Sequence, residues 1–141
     1  MAEKTFEVDF EGYWREPNIG GIPSGSGVYC VYECTYNVSS NTVLVHKLIY
    51  IGEGGDVNDR IKNHGNWDDW KKHIQSGNQL CFSYGYVESA DRERVEAALI
   101  FKHKPLENSE YTDSFPFDKT TIILSGKTAL LKTSFTLEKT D

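Results

Sequence analysis

Apolar and polar positions alternate through Phe6, Val8 and Phe10, which predicts a first strand over residues 4–10. The pattern then lapses. Glu16 to Ser26 contains Pro17, Gly20, Gly21, Pro23 and Gly25 and predicts a loop. Gly27 to Tyr36 (GVYCVYECTY) is β-branched and aromatic, Asn37 to Asn41 (NVSSN) has turn chemistry, and Val43 to Ile51 is apolar again. These runs predict a long hairpin. Both of its faces carry apolar side chains, so the sheet should be covered at least partly on each side.

Leu48 to Gly65 (LIYIGEGGDVNDRIKNHG) changes period. The strand breaks at Gly52 and Gly54-Gly55, and Asp56 is placed to cap a short helix. Val57 and Ile61 predict its buried stripe, while Arg60 and His64, also four apart, predict a second shared face. A tyrosine ending a strand, glycines that admit close approach, and a helix holding Arg and His together suit a phosphate. Asn66 to Ser76 predicts another short helix ended by Gly77, and Leu80 to Val87 (LCFSYGYV) predicts a third core strand.

Ser89 should cap the clearest helix, Ala90 to Lys104, with Asp91 and Glu93 in its first turn and Pro105 as its stop. Val95, Ala98 and Leu99 give it a core stripe, and Glu96 sits one position off that stripe. From Ser109 the chain reads as loop up to a strand at Thr120–Leu124, with a last strand in Leu130–Leu137. The expectation is an α+β fold: a small antiparallel sheet flanked by helices, with extra strands from both termini. At 141 residues this is one domain, 1–141.

No run approaches the about 18 apolar residues of a membrane span, and the acidic start (MAEKTFEVDFEG) is unlike a signal peptide. Cys30, Cys34 and Cys81 are odd in number and lack ligand-like histidine spacing, so they read as reduced strand residues of a cytoplasmic protein. The net charge of −6 argues against a nonspecific polyanion binder. Its distribution adds something: residues 1–59 hold 3 Lys/Arg against 9 Asp/Glu, residues 60–104 hold 8 against 6, and residues 105–141 hold 4 against 6. The basic share sits beside Arg60 and His64, compatible with a modest local phosphate-binding face. Trp67 and Trp70 with Lys71, Lys72 and His73 could stack on bases, although core packing of the two indoles is the simpler expectation. Gly126-Lys127-Thr128 is similar to the end of a P-loop, but the required earlier glycine is Thr121.

In order, the chain carries Gly27-Val28-Tyr29, Tyr50-Ile51-Gly52, Arg60, His64, Glu96, Pro105 and Asn108. This series resembles the GIY-YIG nucleases, over a core of residues 27–108, with 1–26 and 109–141 as extensions. The resemblance implies a metal-dependent endonuclease that hydrolyses DNA phosphodiester bonds with a single Mg²⁺ or Mn²⁺. Tyr29 and Tyr50 match the motif tyrosines, Arg60 the catalytic arginine, Glu96 the metal-binding glutamate and Asn108 the supporting asparagine. His64 stands where members have His or Tyr. Gly52, with Lys62, Lys71 and Lys72 of the basic middle third, is assigned to the substrate. Two departures stand out: a lengthened hairpin between Tyr29 and Tyr50, read as harmless, and Glu53 where the repair enzymes carry lysine.

The residue types suit that chemistry. One carboxylate can hold a hard cation that keeps most of its waters, and an arginine forks onto phosphoryl oxygens as lysine cannot. A phenol is a poor base at its free pKa of about 10. Positive charge from Arg60 and the cation is expected to lower that of Tyr29, with His64 accepting its proton and Tyr50 orienting the water or phosphate; the two tyrosines could exchange roles. Two other classes remain: a nucleic-acid-binding module that keeps the fold without cleaving, and a protein–protein interaction domain docking through the acidic N-terminal third. As a nuclease the chain carries no separate DNA-binding unit. Its binding to double-stranded DNA should be weak without a homodimer mate or partner protein, and no membrane is implied.

Overall fold

In the computed structural model, which describes residues 2–140, the N-terminal alternation continues beyond its predicted end, and β1 spans Lys4–Arg15. The predicted loop after it is largely a two-turn 3-10 segment, Glu16–Gly21, with Pro17 in its first turn. The hairpin forms as expected from β2 (Gly27–Asn37) and β3 (Thr42–Gly54), and β4 covers Gln79–Tyr86. Near the C-terminus lie β5 (Thr120–Gly126) and β6 (Ser134–Leu137). All six strands join one sheet in the order β3-β2-β4-β1-β5-β6.

The α+β class holds, but the sheet is mixed. β1 and β5 are parallel, in register from Lys4 opposite Thr120 to Phe10 opposite Gly126. A parallel neighbour needs a crossover, and the chain between β4 and β5 supplies one through α3, Arg92–His103. This register places Phe6, Val8 and Phe10 with Ile122 and Leu124 in one core cluster beneath α3. The other face is covered by the 3-10 segment, α1 (Val57–Lys62) and α2 (Trp67–Lys71), around Tyr29, Val31, Trp70 and Phe82. Trp70 is fully buried and the Trp67 indole N–H donates to the Ile61 carbonyl at 2.7 Å, so the indoles are core and not a stacking surface.

Helix limits depart from the pattern. Asp56 caps α1 as predicted, accepting from the Asp59 N–H at 3.1 Å. That helix ends at Lys62, so His64 lies past it and turns inward instead of sharing a face with the exposed Arg60. The helix expected over Asn66–Ser76 has only its first turn and a half. Ser89 does not cap α3: residues 89–91 form a turn, and Asp91, at the cap position, pairs with Lys4 at 3.4 Å. Lys104 stops the helix in the left-handed conformation, φ 47°, just before Pro105. The buried Arg94 ties α3 to the start of β5 through Thr120 Oγ1 (2.9 Å) and the Lys119 carbonyl (3.1 Å). The three cysteines are buried on strands as free thiols. Among the described residues no helix is long and apolar enough to cross a membrane.

Candidate active site

A register irregularity in the hairpin sets the site. Val31 pairs with Tyr50 but Tyr32 pairs with Leu48, leaving Ile49 as an extra residue in β3. Such a bulge turns two successive side chains to one face. Ile49 and Tyr50 therefore both join the Tyr29 side of the sheet, while Leu48 and Ile51 pack on the α3 side. The Tyr29 and Tyr50 rings end 6.2 Å apart between centroids.

β3 is an edge strand, and the segment after α3 closes its edge here. The Glu107 N–H donates to the Ile49 carbonyl at 2.8 Å. The Asn108 side chain then accepts from the Ile51 N–H and donates to the Ile51 carbonyl, each at 2.9 Å. Asn108 thus acts as a strand in miniature, fixing the backbone beside Tyr50.

Tyr50, Arg60 and Glu96 line a common cleft of about 450 Å³. It opens where α3 passes the end of β3 and the start of α1. Glu53, Arg92 and Glu110 line it too. Glu53 pairs with Arg92 (Nε to Oε1, 2.8 Å), and the same guanidinium donates to Ser26 Oγ at 2.9 Å. The Glu53 carboxylate, standing where the repair enzymes carry lysine, is therefore matched by the cation of Arg92, a residue absent from the expected site. The signal was present: Arg92 stands four before Glu96, on the same side of α3.

Burial, and then the neighbouring Glu53, Glu110 and Glu93, push the Glu96 carboxyl up to about 8, with Arg60 opposing. At neutral pH this group holds its proton unless a cation takes its place. Four glutamates border the cleft, yet among the described residues no three His, Cys, Asp or Glu side chains converge on one point. The donor set is thus Glu96 with solvent, which fits a hard cation that keeps most of its waters.

The tyrosines differ in access. Tyr50 is half-buried and borders the cleft, whereas Tyr29 is fully buried. The Tyr29 hydroxyl lies over Gly52, its partner across the hairpin, and has no hydrogen-bond acceptor among the described residues. Burial and the Tyr50 phenol raise its pKa, and Arg60 does not reverse this, contrary to the expected lowering. Burial and Glu96 raise Tyr50 as well.

His64 is buried, with its ring edge-on to Tyr50 at 5.2 Å. Nδ1 accepts from the Asn66 N–H at 3.1 Å, which puts the proton of the neutral ring on Nε2. Burial and then Arg60 lower its pKa to about 4. His64 is therefore a neutral donor and does not accept a proton from Tyr29.

Lys62 is exposed on α1 and does not border the cleft. Lys71 pairs with Glu16 and Lys72 with Asp69, each at 3.1 Å, so neither reaches it. Gly52 is beside the site but serves the Tyr29 ring. No family model, no curated protein and no solved structure matches the chain.

Proposed function

We propose that this cleft hydrolyses DNA phosphodiester bonds with one divalent cation, Mg²⁺ or Mn²⁺, in the manner of the GIY-YIG nucleases that the sequence resembles. One observation carries the reading: Tyr50, Arg60 and Glu96, from a strand and two helices far apart in sequence, line a single polar cleft. Arg60, exposed at its rim, forks onto the nonbridging oxygens. Glu96 holds the cation, which when bound supplies charge stabilisation for the leaving oxygen. Tyr50, whose hydroxyl is open to the cleft, orients the attacking water and, as the phenolate, accepts its proton, so turnover rises with pH. His64 and Tyr29 are positioning residues that fix the Tyr50 ring from beneath.

Three of the buried polar atoms that lack a partner among the described residues, Tyr29 Oη, His64 Nε2 and Trp70 Nε1, belong to the aromatic nest under Tyr50. Unpaired buried polar groups are costly and call for a reason. An internal water among these three atoms gives one. The competing reading, a binding module that does not cleave, draws on the cleft's acidic balance, with Glu53, Glu93, Glu96 and Glu110 against Arg60 and Arg92. Supercoiled plasmid with Mg²⁺ or Mn²⁺ separates the two. The native protein should nick it and Glu96→Ala should not. Nicking by neither protein at micromolar concentration favours the binding module.

A further inference from the structure

A second cleft, of about 590 Å³, opens at the other end of β3, between the hairpin tip and the last residues of β1. Its walls include Tyr13, Arg15, Tyr36, Asn41, Thr42 and Lys127, and no acidic residue lines it. In a chain of net charge −6 that is a local reversal. The Arg15 guanidinium lies 3.6 Å from the centroid of the Tyr36 ring, and the Tyr36 hydroxyl donates to Asn41 Oδ1 at 2.8 Å. Stacking fixes the guanidinium plane and leaves its N–H edge available for a planar or phosphoryl acceptor.

Lys127 is placed with equal care. Gly126 takes φ +83°, where a Cβ would meet the Phe10 carbonyl oxygen at 2.1 Å, so the turn needs glycine. The Lys127 N–H donates to that carbonyl at 2.9 Å. The Ala129 N–H donates to Tyr13 Oη and the Tyr32 hydroxyl donates to the Ala129 carbonyl, both at 2.9 Å. Among the described residues neither Arg15 nor Lys127 makes an ion pair, so both charges are available to a ligand.

We propose that Arg15 and Lys127 form a second phosphate-binding site, which anchors the sugar-phosphate backbone of DNA outside the cleavage cleft. The choice of ligand rests on the nuclease reading. Val43 lines this cleft and Tyr50 the first. Along β3 the two residues are roughly 20 Å apart, and they pack on opposite sides of the sheet, Val43 with the α3-side cluster and Tyr50 with the Tyr29 side. The second site thus meets DNA away from the cleavable bond. The lengthened hairpin, whose tip supplies Tyr36, Asn41 and Thr42, is then what gives an acidic chain a second contact with DNA. Two cations at an open cleft suit a strand passing over them; a free anion would call for a closer cage of donors.

The test is fluorescence anisotropy of a labelled 12-base-pair duplex, with EDTA present to prevent cleavage, titrated at several salt concentrations. Lys127→Glu should weaken binding roughly tenfold and reduce the salt slope by about 1, and Arg15→Gln should do likewise. The Lys127 side chain is exposed, so its replacement leaves the fold intact and the answer stands on that variant even if Arg15→Gln misfolds. Unchanged affinity and slope in Lys127→Glu overturn the proposal. Displacement of the duplex by inorganic phosphate at equal phosphate concentration overturns the assignment to DNA. Plasmid nicking by the native protein, scored separately, reports on the nuclease reading alone.

Discussion

The Tyr29 phenol and Gly52 face one another across the hairpin so closely that a Cβ on Gly52 would lie 2.3 Å from the hydroxyl and 2.4 Å from Cζ. The Tyr29 ring is fully buried and cannot swing away. Gly52→Ala should therefore destabilise the protein by about 1–3 kcal/mol, the usual cost of overpacking, and should misplace Tyr50 next to it. In a Tyr29→Leu background, where the clashing ring atoms are gone, the same change should cost much less. Thermal unfolding of the four proteins checks this. Equal costs in both backgrounds would mean the strand yields and the contact is not specific.

Asn108 pairs both backbone groups of Ile51 at 2.9 Å. Asn108→Asp removes the donor and sets a carboxylate against the Ile51 carbonyl, at a cost of about 1–3 kcal/mol. Hydrogen exchange at the Ile51 amide should accelerate most under Asn108→Leu, which leaves that N–H without its acceptor. Native-like protection at Ile51 in the leucine variant would contradict this.

The Glu96 carboxyl titrates at about 8 in the folded chain against an ordinary 4.5. Between these values the folded state holds the extra proton, so this group's contribution to stability falls as pH rises and is fully lost above 8. Glu96→Gln should match the native protein at pH 4 and exceed it at pH 8.5 by on the order of 2 kcal/mol, after allowance for screening at the cleft. Chemical denaturation at the two pH values gives the answer. A variant no more stable at pH 8.5 would show that the carboxylate is not crowded.

His64 has the opposite sign. Its value near 4 lies below the ordinary 6.5, so the stability it contributes is present above 6.5 and fades as pH falls toward 4. Between about 4.5 and 6.5 the two contributions slope in opposite directions and partly offset one another. Nitrogen NMR should find the Nε2–H tautomer at pH 7 and a midpoint below 5. A midpoint near 6.5 would place the ring in solvent.

Much of this was legible in the sequence, for reasons that differ by element. The hairpin is carried by β-branched and aromatic runs around a polar turn, and the α1 start by the Asp56 cap. The Pro105 stop also holds. Tyr50, Arg60 and Glu96 do border one cleft. The bulge at Ile49 was not legible, because strict alternation puts Tyr50 on the same face as Leu48. The inward turn of His64 was missed since helical spacing was carried past Lys62, where α1 ends. The parallel β1–β5 pair depends on which strand edge remains free after α3, a property of the assembled sheet. The motif spacing does not single out Arg92, because its role comes from pairing with Glu53 once β3 and α3 are assembled.

The central claim is that Arg60 and Glu96 act together on a phosphodiester. Its most direct test is the rate of supercoiled plasmid relaxation with Mn²⁺ at pH 8.5, measured for the native protein, Arg60→Lys and Glu96→Ala prepared alike. The account predicts that both variants fold, by circular dichroism, and lose at least about 100-fold in rate, the scale of removing one transition-state contact. Equal rates for all three would contradict it.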